Sequence, residues 1–341
     1  MGQRRGETLR TFFALALLVT IVCGCDRSAA TTSATQPSTR PSGAKTVASL
    51  VPAATDMIIA MGAKDALVAV SNWDAERPEI AGLARVGDYR TVDWEKLASL
   101  RPDVMIVQWR PDKMPPGVVE RAAELHIELV NLRIVYLDEI FTAFQTLGDG
   151  IGQREKAETA AANLRRQLDG VRAAVAGKPR VRTLISQTES PLSTVGGGNF
   201  MNDLLTIAGG TNVIEGGDNS FPNIDLERLI ALDPDAVIHI LPDGSPQSIE
   251  RAKAFWSSHP ELTAVKKGRV YFESESFMLL PGPLVGRIAE RFATLLHPGV
   301  TFSDDRSTTT SAVRDSADAQ TLRPGLTGPN ELTRVPAGDA S

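Results

Sequence analysis

The chain has 341 residues with 36 basic against 41 acidic side chains, and its formal charge of −5 argues against a nucleic-acid partner. With 42% apolar and 23% charged residues it has the composition of a globular protein, which excludes collagen-like, disulfide-scaffold and wholly disordered classes. No uninterrupted apolar run reaches the roughly 18 residues that a mature membrane-spanning helix needs.

At the amino end Arg4, Arg5 and Arg10 precede the apolar stretch Thr11 to Val22, which suits the core of a secretory signal and is too short to cross a bilayer. The stretch meets Val22-Cys23-Gly24-Cys25, which resembles the lipobox of bacterial lipoproteins. Residues 1–24 are therefore expected to be a signal peptide, with Cys25 the lipidated first residue of the exported protein. Cys23 and Cys25 are the only cysteines, so the mature chain has no internal disulfide and must be stabilised by burial. Residues 26–44, rich in Ser, Thr, Ala and Pro, read as a flexible linker, and residues 299–341 as a disordered tail.

Between them, Lys45 to Leu50, Leu67 to Val70, Val104 to Val107, Ile127 to Asn131, Arg182 to Ser186, Ala236 to Ile240 and Val270 to Phe272 read as strands separated by helical patterns. That alternation predicts an α/β protein with largely parallel sheets. Val92 to Ile106 aligns without a gap on Ile224 to Ile238, with Asp, Glu, Leu, Leu, Pro, Asp and Ile coinciding. Two copies of one helix-turn-strand unit imply two similar lobes. Gln153 to Ala176 carries Ala157, Ala160, Leu164, Leu168, Val171 and Val175 on one stripe at helical spacing, with glutamates early and arginines late. A helix of that length spans roughly 36 Å and would act as a strut. The expected boundaries are 45–152 for the first α/β lobe, 153–177 for the connecting helix and 178–298 for the second lobe.

Asp93 and Asp225 stand where helix N-caps are wanted, with Glu95 and Glu227 in the first turns. The turns opened by Pro52 and by Gly196 to Asn199 can direct backbone N–H groups toward an anionic group. The glycine run has neither the Lys-Ser/Thr sequel of a P-loop nor the third glycine of a dinucleotide fingerprint. Aromatic residues on loops are few: Trp73, Tyr89, Phe221 and Phe277, two on each lobe, whose rings suit a broad flat ligand. Arg90, Glu275 and Arg287 are polar candidates beside them, and Trp94 and Trp109 read as packing. The four histidines form no close pair, which argues against a three-histidine zinc or manganese site, and His239 reads as a buried strand residue. Neither a Gly-x-Ser-x-Gly elbow nor a His-Glu-x-x-His run occurs, so no enzyme is expected.

Ser49-Leu50-Val51-Pro52-Ala53-Ala54-Thr55-Asp56, Val86-Gly87-Asp88-Tyr89 with Glu95, Gly196-Gly197-Gly198-Asn199-Phe200, Ala208 to Val213, and Lys267-Gly268-Arg269-Val270-Tyr271 through Pro281-Gly282-Pro283 to Pro298 together resemble the periplasmic cobalamin and iron-siderophore binding proteins of ABC importers. The resemblance implies two Rossmann-like α/β lobes joined by one long helix, with the ligand in the cleft between them. It further implies a lipid-anchored monomer on the periplasmic side of the cell membrane that delivers a corrinoid to a permease dimer and holds no cofactor. Its ligand-binding positions would be Pro52, Ala53, Trp73, Tyr89, Gly197, Asn199, Phe221, Glu275 and Phe277, and its permease contacts Glu95 and Glu227. A ferric siderophore and haem, the latter through a Tyr89 phenolate, stay open as ligands. So do a ligand sensor and an exported enzyme on the same scaffold.

Overall fold

The computed structural model describes residues 45–302 apart from 215, 217–219 and 242. The expected signal peptide, Cys25, the linker and the tail beyond residue 302 lie outside the described residues.

The first lobe is built on β1 (Val47–Ser49), β2 (Leu67–Val70), β3 (Ala84–Arg85), β4 (Val104–Val107) and β5 (Glu128–Asn131), a wholly parallel sheet in the order β3-β2-β1-β4-β5. β4 is apolar and buried along its whole length, as a parallel strand covered on both faces must be. The covering helices are α1 (Pro52–Ala60), α2 (Trp94–Leu100), α3 (Val118–Glu124) and α4 (Leu137–Gly150). α5 (Arg154–Ala174) follows, burying Ala157, Ala160, Leu164, Leu168 and Val171 on the stripe that the spacing predicts.

The second lobe contains β6 (Val181–Ser186), β7 (Leu192–Ser193), α6 (Phe200–Ile207), β8 (Gly210–Asn212), β9 (Asn223–Ile224), α7 (Leu226–Leu232), β10 (Ala236–Ile240), α8 (Pro246–Ser257), α9 (Thr263–Lys266), β11 (Val270–Glu273) and α10 (Val285–Leu296). Its main sheet is parallel in the order β11-β10-β6-β8, and β7 pairs with β9 as a small antiparallel ribbon. The repeat is visible in detail. Asp93 caps α2 through the Lys96 N–H at 3.1 Å, and Asp225 caps α7 through the Arg228 N–H at 2.8 Å. Both helices end on a left-handed residue directly before proline, Arg101 with φ 48° and Asp233 with φ 36°.

The lobes share one core. Met57 and Ile58 of α1, Phe144 of α4, Leu164 and Leu168 of α5, Leu204 of α6 and Phe292 of α10 form a single apolar cluster, while separate clusters fill the far face of each sheet. α5 is fastened to both sides: Lys156 Nζ donates to the Gly62 carbonyl at 3.0 Å in the first lobe, and Gln167 Nε2 donates to Glu290 Oε1 at 2.8 Å in the second. Loops that follow the strands meet directly. The Phe200 N–H donates to the Val135 carbonyl at 2.7 Å, the Leu137 N–H to Asp203 Oδ2 at 3.2 Å, and Gly282 lies against Ala53. The carboxyl ends of the two sheets therefore face each other, which is where α/β sheets present ligand-binding loops.

Candidate functional site

On the first lobe, two tight turns carry the exposed rings. Ser71 to Asp74 closes on itself, since the Asp74 N–H donates to the Ser71 carbonyl and Asp74 Oδ2 accepts the Ser71 N–H at 2.9 Å. The Arg85 guanidinium grips the carbonyls of both Ser71 and Asp74, at 2.6 and 2.7 Å. Trp73, between them, is left 64% exposed. Behind the turn Asp56 pairs with Arg77 at 2.5 Å, and burial pushes the Asp74 carboxyl up to about 6.

The second turn needs Gly87, whose φ is 119° and whose missing Cβ would lie 2.1 Å from the Thr91 carbonyl oxygen. Asp88 accepts the N–H groups of Arg90 and Thr91 at 2.8 and 3.1 Å. Those bonds, with a further one from the Trp73 side chain, hold its carboxyl below the usual range. Tyr89 is 49% exposed, and the Arg90 guanidinium lies 5.2 Å from its ring centre. The two turns are joined by the Asn72 N–H donating to the Gly87 carbonyl at 2.8 Å. Trp109 is buried and donates its indole N–H to the Tyr89 carbonyl at 2.6 Å, so its packing also fixes the tyrosine turn.

On the second lobe Asn199 is buried and caps α6, accepting the Met201 N–H at 2.9 Å and donating Nδ2 to the Ser220 carbonyl at 2.8 Å. The Gly196 N–H also donates to Ser220, whose hydroxyl donates to the Gly198 carbonyl. This stitching holds Phe221, 43% exposed, beside the glycine turn. The first amides of α6 are all used within the protein: Phe200 on Val135, Met201 and Asn202 on Asn199. The first helical amides are therefore not open to an anion, and the Asn199 side chain acts here as a loop anchor.

Phe277 also departs from expectation. It is only 7% exposed and lies under the Arg287 guanidinium, 5.0 Å away, because the apolar run that follows it turns into the core. Glu275 is half-buried at the start of the Ser276–Leu279 turn. Pro52 opens α1 half-buried, Ala53 is buried against Gly282, and Gly197 is half-buried beside Gly216. Glu95 and Glu227 are exposed in the first turns of α2 and α7.

No pattern in the sequence singles out Glu189, in the hairpin between β6 and β7. Beneath it the fully buried His239 of β10 is opposite Ser186 of β6, whose Oγ is 2.8 Å from Nδ1. Trp256 donates its indole N–H to the same Nδ1 at 3.2 Å. A cavity of about 790 Å³ lies elsewhere, between the start of α4 and the ends of α5 and α6, lined by Tyr136, Arg172, Lys178 and Asp203 among others and by none of the expected binding residues. Among the described residues no group of His, Cys, Asp and Glu could hold a metal ion, and no helix is long and apolar enough to cross a membrane.

Residues 47–275 match the family model described as periplasmic binding protein. A curated relative, the vitamin B12-binding protein of Vibrio cholerae serotype O1, is 26% identical over 257 residues, 75% of this chain and 91% of the relative. The crystal structure of a periplasmic vitamin B12 binding protein of Vibrio cholerae superposes with a TM-score of 0.62 at 25% identity, covering 74% of this chain and 97% of that one. A periplasmic heme binding protein of Pseudomonas aeruginosa gives a TM-score of 0.61 at 23% identity, over 76% and 95% of the two chains, and supports the fold alone.

Proposed function

The chain belongs to the periplasmic binding protein family, and on that premise we propose that it is the substrate-binding lipoprotein of an ABC importer, capturing cobalamin or a related corrinoid and handing it to a permease dimer. The observation that carries this reading is the pair of exposed rings, Trp73 and Tyr89, on two interlocked turns of one lobe, with Phe221 on a stitched loop of the other. Rigid aromatic faces at the carboxyl ends of two facing sheets suit a broad, flat macrocycle that buries large area at small entropic cost. Relatives along most of the chain are named for vitamin B12 binding.

Glu95 and Glu227 serve as the permease contacts in this reading, because the repeat sets them as matched exposed carboxylates on the two lobes. A diacylglycerol on Cys25 tethers the monomer to the periplasmic side of the membrane through the linker. Haem or a ferric siderophore is the second reading, favoured by the half-exposed Tyr89, a phenolate being one type of iron ligand.

The test mixes purified protein with cyanocobalamin, haemin or a ferric hydroxamate, desalts it and records the visible spectrum. A corrinoid spectrum that stays with the protein is expected. Retention of an iron-chelate spectrum alone moves the assignment to the second reading, and retention of none removes both.

A further inference from the structure

We propose that Glu189 is a specificity residue of the cleft, a carboxylate that accepts hydrogen bonds from amide N–H groups on the rim of the ligand and rejects ligands that present carboxylates there. This inference rests on the corrinoid reading above and adds to it the group that separates a corrinoid, whose rim bears carboxamides, from haem, whose rim bears two carboxylates.

Three observations carry it. The first is position. Glu189 follows β6 at the carboxyl end of the second sheet, the end that faces the other lobe. Its hairpin is fixed by the Gln187 N–H on the Ser193 carbonyl at 2.9 Å and by the Ser193 N–H on Thr188 Oγ1 at 3.2 Å.

The second is the state of the group beneath it. An indole N–H can only donate, so the bond from Trp256 makes His239 Nδ1 an acceptor and places the proton of the neutral ring on Nε2. Ser186 Oγ lies at the same nitrogen, and the ring is wedged between Trp256 and Phe272, each with its centroid 6.1 Å away. Nε2 is buried and makes no hydrogen bond, and Glu189, whose side chain keeps 20% of its surface exposed, has its Oε1 3.6 Å away. An N–H thus lies near the carboxylate but beyond hydrogen-bond reach, so it leaves the carboxylate's acceptor capacity unused.

The third is charge. Burial drives the His239 imidazole down to about 4, so at neutral pH it brings no positive charge to Glu189. Arg and Lys partners are absent from the contacts of Glu189 among the described residues. An ionised carboxylate can only accept, and with its charge unpaired it favours N–H donors and opposes a second carboxylate. A site built to pair with a donor discriminates strongly against a ligand that lacks one.

The test measures the affinities of cyanocobalamin and haemin by calorimetry for the purified chain and for Glu189→Gln and Glu189→Lys, with thermal denaturation of each. Both variants are expected to unfold near the parent temperature, since Glu189 has no tight partner to lose. The ratio of corrinoid to haem affinity should fall about tenfold in Glu189→Gln and further in Glu189→Lys. A parent chain that binds either ligand while both variants keep its ratio overturns the role of Glu189 and leaves the corrinoid reading standing. A parent that holds haemin more tightly than cyanocobalamin also overturns it. A parent that binds neither overturns the reading of function itself, and this inference with it.

Discussion

Trp73 and Tyr89 each leave a large ring in water while the backbone is held at several points, the arrangement that the proposed binding role requires. Replacing either by alanine should leave the thermal midpoint nearly unchanged, because the rings pack on little, and should weaken corrinoid binding roughly tenfold or more. Calorimetry on the two variants checks this, and a loss of stability with unchanged affinity would assign the rings to the fold. Asp74, behind the tryptophan turn, gives a second residue-level expectation. Its folded value of about 6 lies above the unfolded 3.8, so its contribution to stability is fully present below 3.8 and is lost as pH rises through 6. That shift corresponds to roughly 3 kcal/mol as an order of magnitude. His239 has the opposite sign: its folded value of about 4 lies below 6.5, so its contribution is present above 6.5 and lost as pH falls through 4. Asp74→Asn keeps an oxygen for the Ser71 N–H and removes the first effect. Urea midpoints of the variant should therefore fall more steeply than those of the parent between pH 6.5 and 4; parallel curves would contradict it. The exposure of Trp73, Tyr89 and Phe221 was legible because each ring sits among polar turn residues. Phe277 has the same local look, but Met278, Leu279 and Leu280 after it pull the segment inward, and Glu189 is one acidic residue in a polar loop whose partner is distant in the chain.

At the scale of the element, strands with continuous β-branched runs were readable to within a residue or two, and β2, β4 and β10 fall at the expected bounds. β3, β7, β8 and β9 were not, because they are two or three residues long and β8 reads Gly-Thr-Asn, a sequence made extended only by pairing with β6. The repeat was the most informative signal, since a cap, a helix and a Pro-Asp turn are local features that recur wherever the same unit is built. The Tyr89 turn is an element whose geometry depends on one residue. Gly87→Ala would force a Cβ into the Thr91 carbonyl, and we expect a loss of about 2 kcal/mol or more, read by chemical denaturation. Corrinoid affinity should fall with it, because the turn aims Tyr89. An unchanged denaturation midpoint would mean that the turn relaxes freely.

For the whole molecule the shared core matters most. Helices from both lobes interlock in one cluster, and α5 is bonded to each lobe, so wide hinge opening would break apolar contacts that a mobile hinge leaves out. Small-angle scattering should accordingly give nearly the same radius of gyration with and without ligand, and a large contraction would contradict the strut. In the proposed reading, a cleft of fixed shape would leave a permease to recognise the lobes by their surfaces. Charge reversal of both Glu95 and Glu227 to lysine is expected to abolish uptake in cells while leaving corrinoid affinity intact, whereas normal uptake by the double variant would place the docking surface elsewhere. The most direct measurement is a calorimetric titration of the purified chain with cyanocobalamin, ferric hydroxamate and haemin side by side. One cyanocobalamin bound per chain, more tightly than either iron compound, is the predicted result; heats no larger than dilution for the corrinoid would contradict the assignment.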